Sequence, residues 1–284
     1  MPVVYKGAPV VASIKKEMEE NIAFLADMGI VPTLSILRVG ERPDDIYYEN
    51  SAVKKCREMG IAVHAIHLPG HADTEAVLME VRAINQNDAI HGALVLRPLA
   101  DGVEEEKIKA ALVPEKDVDC MCDANLFRVF CGEEEGFVPC TPQAVVRLLE
   151  HYRVDLLGKE VVIIGRSLVV GKPLSMMLLK RNATITICHT HTKDLAEITR
   201  RADVLIAAAG SIHMVRKEHV KPGAVVVDVG INRDENGKMT GDVNFDDVCD
   251  VVEAISPVPG GIGGVTSWLL LEHVVQAAKK AAGR

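Results

Sequence analysis

Val161-Val162-Ile163-Ile164 breaks on Gly165, and Arg166-Ser167 and then Gly171-Lys172-Pro173 follow. Few patterns restrict a fold as tightly. A short apolar run rich in β-branched residues reads as a strand covered on both faces, the situation of a parallel sheet with helices on either side. The glycine delivers the chain to a tight turn, and the turn opens onto a helix. Pro173 suits the first helical turn because its missing N–H would have no intrahelical partner there. The free N–H groups and positive dipole end of such a helix form a seat for phosphate. Gly165, Arg166, Ser167, Gly171 and Pro173 are therefore candidate contacts for a dinucleotide. The spacing is Gly-x5-Gly and departs from Gly-x-Gly-x-x-Gly, and a plain βα turn also satisfies it.

The next strand narrows the choice. Ala183–Cys188 leads into His189-Thr190-His191-Thr192-Lys193, with no acid before Asp194. A site selective for NAD carries Asp or Glu at this strand end to hold the ribose 2′-hydroxyl. Here His189, His191 and Lys193, with Arg166 on the neighbouring turn, can pair a 2′-phosphate instead. NADP is expected over NAD, although histidines are only partly charged at neutral pH.

Strand and helix signals alternate along the whole chain, which implies an α/β fold with parallel strands and covering helices. Helices are predicted over Val10–Met28 and from a cap at Asp44 or Asp45 to Met59, where Gly60 ends the second. Strands are predicted at Thr33–Val39, Ile61–Leu68 and Gly92–Leu96. Thr141 is placed to cap a helix starting at Pro142, and a domain boundary is expected there. Further strands are read at Val161–Ile164, Thr184–Ile187, Val204–Ala207, Val225–Val229 and Glu253–Ile255. The tail from Thr266, itself a candidate cap, to Ala282 reads as one helix packing back on the first half. The expected domains are thus 1–140 with 266–284, and 141–265.

Composition removes several classes of function. The chain has 284 residues, 48% hydrophobic and 25% charged, with net charge -8. No basic tract offsets that acidic balance, so nucleic acid is not expected as a partner. No apolar run has transmembrane length and the start lacks a signal-peptide core, so no membrane partner is expected and the expected compartment is cytoplasmic. The seven cysteines are odd in number and scattered, as befits reduced thiols. Cys120-Met121-Cys122 lacks the two-residue gap of a zinc site, and no metal is expected.

Several stretches, in order, resemble the bacterial methylenetetrahydrofolate dehydrogenase/cyclohydrolase family. They are Val138–Pro142, Gly165–Ser167 through Gly171–Pro173, Ala183–His189, Ala202–Gly210, Lys221–Asn232 and Pro257–Gly263. The resemblance implies an N-terminal folate domain, a Rossmann-like NADP domain, substrate in the cleft between them, and a homodimer. Family members oxidise 5,10-methylene-tetrahydrofolate to the methenyl form, and most hydrolyse that to 10-formyl-tetrahydrofolate. Carried over by position, Tyr48 and Asp119 become catalytic and folate-binding residues. Leu96, Pro259, Gly260 and Gly261 line the substrate. His189, Thr190, Ala209, Gly210 and Ile231 join the cofactor set. Asp228 and Asn232, flanking a glycine at a strand end, are read equally well as turn residues or cofactor contacts.

Two departures bear on the hydrolytic step. The family has a lysine four residues after its tyrosine, on the same helix face, and a glutamine that supports it. This chain has Ala52 and Leu96 in those places, and Gly264-Val265 where Pro-Met is usual. Hydride transfer depends chiefly on alignment, whereas hydrolysis needs water activated and protons moved, and losing such a group costs about 10²–10⁴ in rate. The expectation is a dehydrogenase that hands its product to a separate cyclohydrolase. Lys55, one turn beyond Ala52, is read as a solvated surface lysine; its alternative is a substitute for the lost amine. A non-catalytic folate- or nucleotide-binding protein is the reading from another class.

Overall fold

The structure is a computed structural model and describes residues 2–283. The chain forms two compact units. One contains the residues up to Ala12, Val129–Gly132 and Pro139–Thr266; the other contains Ser13–Arg128, Glu133–Val138 and the residues from Ser267 on. Both are α/β. In chain order the elements are β1 (Val3–Val4), α1 (Gly7–Asp27), β2 (Thr33–Val39), α2 (Pro43–Glu58), β3 (Ala62–Leu68), α3 (Thr74–Gln86), β4 (Gly92–Val95), α4 (Glu105–Ala111), α5 (Asp123–Cys131) and α6 (Cys140–His151). Then come β5 (Glu160–Ile164), α7 (Gly171–Leu179), β6 (Thr184–Cys188), α8 (Leu195–Thr199), β7 (Val204–Ala207), β8 (Val225–Asp228), β9 (Asn232–Arg233), β10 (Met239–Thr240), α9 (Phe245–Val248), β11 (Ala254–Ile255) and α10 (Gly263–Ala282). Among the described residues no helix is long and apolar enough to cross a membrane.

The unit holding most of the second half is a six-stranded parallel sheet in the order β1-β11-β8-β7-β5-β6. The strand order reverses at β5, with β6 on one side and β7 on the other. Ligands of open α/β sheets sit at such a switch point, beyond the carboxyl ends of the strands. Val162, Ile164, Leu205, Ala207, Val226 and Ile255 are buried in its core, as the apolar runs require. The other unit has a three-stranded parallel sheet, β3-β2-β4, whose core includes Leu37, Val77, Val81, Ile84, Val95 and Ile108.

Several expected helix starts are displaced. α2 begins at Pro43 with Arg42 at its cap and no side-chain cap; neither Asp44 nor Asp45 caps it. Proline pre-sets the first helical residue, which pulls the start ahead of both acids. They remain in the first turn, where the dipole favours them, and Asp45 accepts two hydrogen bonds from the Arg42 guanidinium at 2.9 and 2.7 Å. α6 likewise starts at Cys140, not at Pro142, and Thr141 does not cap it. α7 starts at Gly171, two residues before Pro173. A proline in the first turn needs no partner wherever in that turn it falls. α10 begins at Gly263, so Thr266 lies inside it, its hydroxyl donating to the Gly263 carbonyl at 3.2 Å.

The residues before Ala12 were assigned by sequence to the first domain. In the structure β1 pairs in parallel with β11, Val3 opposite Ala254, and so completes the larger sheet. A two-residue strand gives too short a signal to read.

Candidate active site

In the larger-sheet unit the βα turn after β5 is shaped by backbone crowding. Gly165 has φ of +133°, and a Cβ there would meet the Ala208 carbonyl oxygen at 2.2 Å. A Cβ on Gly171 would stand 2.0 Å from the Gly165 carbonyl oxygen. The loop therefore folds back on its own start and lies against the end of β7, and only glycine fits at either position. The Ser167 hydroxyl accepts from the Val170 N–H at 3.1 Å. Arg166 and Ser167 are exposed, while Gly171 and Pro173 are buried. After β6, His189 is half-buried and its N–H donates to the Thr192 hydroxyl at 2.8 Å. The His191 N–H donates to His189 Nδ1 at 3.2 Å. Thr190, His191, Lys193 and the following acid, Asp194, are exposed.

The loop after β7 is held by a residue the sequence reading missed. Asp242, fully buried, accepts from the N–H groups of Ala209, Gly210 and Ser211 at 2.6, 2.9 and 2.8 Å. It also accepts from Asn232 Nδ2 at 2.9 Å. The Ala209 and Gly210 N–H groups are thus engaged by Asp242. Asn232 and Asp228 have turn chemistry: Asp228 accepts from Gly230, Asp242 and Val243 N–H at 2.9, 3.1 and 2.9 Å. Burial pushes the Asp228 carboxyl up to about 6, against those bonds to its charged form. The only sequence hint of Asp242 was an acid beside Gly241 after a weak hairpin.

Pro259 and Gly260 are exposed and Gly261 is buried. The close approach their glycines permit is to the chain's own backbone. The Gly260 carbonyl accepts from Gly7 N–H at 2.8 Å, and a Cβ on Gly7 would lie 2.2 Å from the Gly261 oxygen. Ile231 exposes 62% of its surface, an unusual fraction for isoleucine.

The other unit carries the folate-side candidates. Tyr48 lies on α2, 39% exposed, while Ala52 on the following turn is 3% exposed. Leu96 directly follows β4 and is 6% exposed. Asp119 and Arg97 come together, with Arg97 Nη2 3.4 Å from Asp119 Oδ2. Separately, buried Glu49 pairs with buried Arg38 at 2.7 Å and with exposed His67 at 2.6 Å.

Lys55 is not a solvated lysine. It is half-buried, and its Nζ donates to Ser267 Oγ at 2.6 Å and Ser51 Oγ at 3.2 Å, 5.9 Å from the centre of the Trp268 ring. Burial lowers its pKa. Ser51 lies one turn back on the same helix, and Ser267 and Trp268, on α10, are too distant in sequence to foretell the contact. Three further histidines also have neighbours. His273 Nδ1 lies 2.8 Å from the Val118 carbonyl, His213 Nε2 lies 2.8 Å from Thr240 Oγ1, and the His151 ring packs edge-on to Tyr152.

Known proteins share this arrangement along the whole chain. Residues 5–119 match the tetrahydrofolate dehydrogenase/cyclohydrolase catalytic domain, and residues 139–282 match the NAD(P)-binding domain of that family. The bifunctional protein FolD of Clostridioides difficile is 47% identical over 97% of this chain and 96% of its own. The structure of the bifunctional FolD dehydrogenase/cyclohydrolase from Campylobacter jejuni superimposes with a TM-score of 0.96 at 41% identity, covering 99% of both chains. That of the Trypanosoma brucei enzyme, complexed with NADP and an inhibitor, has a TM-score of 0.93 at 34% identity, over 100% of this chain and 99% of that one. With both domains matched in order and across nearly every residue, the chain belongs to the tetrahydrofolate dehydrogenase/cyclohydrolase family.

Proposed function

We propose that this protein is a methylene-tetrahydrofolate dehydrogenase that uses NADP and lacks effective cyclohydrolase activity. The observation that carries the reading is the pair Ala52 and Leu96. Both are buried and apolar, at 3% and 6% exposure, where a hydrolytic site needs an amine and its hydrogen-bonding partner. Tyr48, still partly exposed on the same helix, offers a ring face to the pterin.

The nucleotide side fits a dinucleotide. The crowded glycine turn leaves backbone with no side chain at the switch point, and α7 begins there. NADP is favoured over NAD by the exposed His191, Lys193 and Arg166 and by the lack of any carboxylate between β6 and Asp194. The complex of the Trypanosoma brucei relative with NADP agrees. A nicotinamide dinucleotide held at the turn of Gly165, Arg166, Ser167 and Gly171 would supply the acceptor for a hydride from one methylene C–H bond of the substrate, which would leave as the methenyl cation. Orientation is the protein's share of that step, and no side chain has to gain or lose a proton.

Lys55 is a poor substitute for the missing lysine. Swinging its amine elsewhere breaks two hydrogen bonds to serine hydroxyls, each worth about 0.5–1.5 kcal/mol net, and gives up its place beside Trp268. The product then requires a separate enzyme that hydrolyses it.

The test is an absorbance time course with methylene-tetrahydrofolate and NADP, measuring methenyl- and 10-formyl-tetrahydrofolate separately. The expected course is accumulation of the methenyl form, decaying at the rate of buffer alone. Consumption faster than buffer would overturn the loss of hydrolysis. Tight binding of both ligands with no turnover would instead favour the non-catalytic reading.

A further inference from the structure

Arg97 stands where β4 has just ended, one residue after buried Leu96. Its guanidinium is divided between two carboxylates. Nη2 lies 3.4 Å from Asp119 Oδ2 and Nη1 lies 3.6 Å from Glu105 Oε1, and all three side chains keep roughly 30% exposure (28%, 28% and 31%). Lys109 backs Glu105 at 3.0 Å, so charges alternate from α4 to Asp119. Asp117 is different: its carboxylate is fully buried and bonded to Met121 N–H, Cys122 N–H and Asn125 Nδ2 at 2.8, 2.9 and 3.1 Å. Of the two acids, Asp119 is the one accessible to a ligand, and a cation comes with it.

The pyrimidinone edge of a reduced pterin presents a 2-amino donor, an N3–H donor and a 4-oxo acceptor in a row. A carboxylate complements the two donors. A guanidinium N–H complements the acceptor, and charge-assisted bonds of this kind are the strong ones. A carboxylate alone would leave the 4-oxo oxygen without a donor.

We propose that Arg97 donates to the 4-oxo oxygen of this edge, beside the Asp119 carboxylate that the folate reading already places against the 2-amino group and N3–H. The assignment rests on the folate reading above. It makes Arg97 a determinant of specificity in a chain whose neighbouring position 96 carries no polar group.

The test compares calorimetric dissociation constants for tetrahydrofolate and tetrahydroaminopterin, in which a 4-oxo group beside N3–H is exchanged for a 4-amino group beside an unprotonated N3. The wild type should prefer the 4-oxo ligand by about tenfold or more, as expected for a charged hydrogen bond gained or lost. Arg97→Leu should cut the ratio by about tenfold, leaving only the share that Asp119 draws from N3–H, and Arg97→Lys should restore part of it. Arg97→Met keeps the aliphatic stem and takes the place of Arg97→Leu if that variant does not fold. A purely structural Arg97 would weaken both ligands alike and leave the ratio unchanged, which overturns the proposal. Wild-type protein that binds neither ligand defeats the folate reading together with it; binding of both at an unchanged ratio defeats only the role of Arg97.

Discussion

The turn after β5 and the helix face of α2 are secured by different means. At the turn the determinant is backbone: two glycines whose Cβ positions are already occupied by carbonyl oxygens, and a neighbouring loop held through three consecutive N–H groups by Asp242. On α2 the determinant is side-chain identity at Tyr48 and Ala52, on a helix that would form with other residues there. A site defined by backbone tolerates little change. A site defined by side chains can lose one chemical step and leave the fold intact, which is the loss we propose at positions 52 and 96.

The sharpest way to break this contrast is Gly171→Ala. Its methyl would lie 2.0 Å from a carbonyl oxygen, so NADP binding, followed by fluorescence, should be abolished. Gly264→Ala, with nothing within 4 Å of its Cβ, should change stability by no more than about 0.5 kcal/mol. Retained NADP affinity in Gly171→Ala would show the turn to be more yielding than its geometry implies.

Next in size is the reverse experiment on α2. Ala52→Lys with Leu96→Gln should raise hydrolysis of methenyl-tetrahydrofolate above buffer by about 10²-fold or more, while Leu96→Gln alone should not. No gain from the pair, in a folded protein that still oxidises methylene-tetrahydrofolate, would move the hydrolytic deficit elsewhere.

A smaller effect concerns pH. Asp228 titrates near 6 in the fold against about 3.9 when unfolded. Between these values the folded state holds the extra proton, so this group's contribution to stability rises as pH falls through the window. Asp228→Asn lacks that contribution. Its cost, measured by urea denaturation, should therefore be greater at about pH 4.5 than at about pH 7; an equal cost at both would refute the raised pKa.

Smallest in its effect on the reaction is Lys55→Met, expected to leave dehydrogenase and hydrolytic rates unchanged and to cost about 1–3 kcal/mol of stability for its two lost hydrogen bonds. A selective fall in methenyl hydrolysis would return Lys55 to the reaction.

The same contrast explains what could be read beforehand. Strands such as Thr33–Val39 were legible because each carries its own apolar pattern. The glycine turn was legible because backbone crowding leaves only one residue type. β1 was not, since two residues carry no period and its partner lies at the other end of the chain. Helix starts were misread at Pro43, where proline takes the first position ahead of the acids, and at Thr141 and Thr266, which lie inside helices that begin earlier. Ala52 and Leu96 could be read by position, but Arg97 was passed over because nothing in the sequence says that it reaches Asp119. Asp242 and Lys55 were hidden for the same reason, as their partners at Ala209 and Ser267 lie far along the chain.

The pairing of Val3 with Ala254 also sets an order of assembly. The first strand of the larger sheet to be made is an edge strand whose partner is about 250 residues away. At about 5–20 residues per second of synthesis, it waits on the order of tens of seconds for β11. During that time Val3 and Val4 belong to no sheet, and a chain released before β11 would keep β1 without a partner and leave β8 as an open edge.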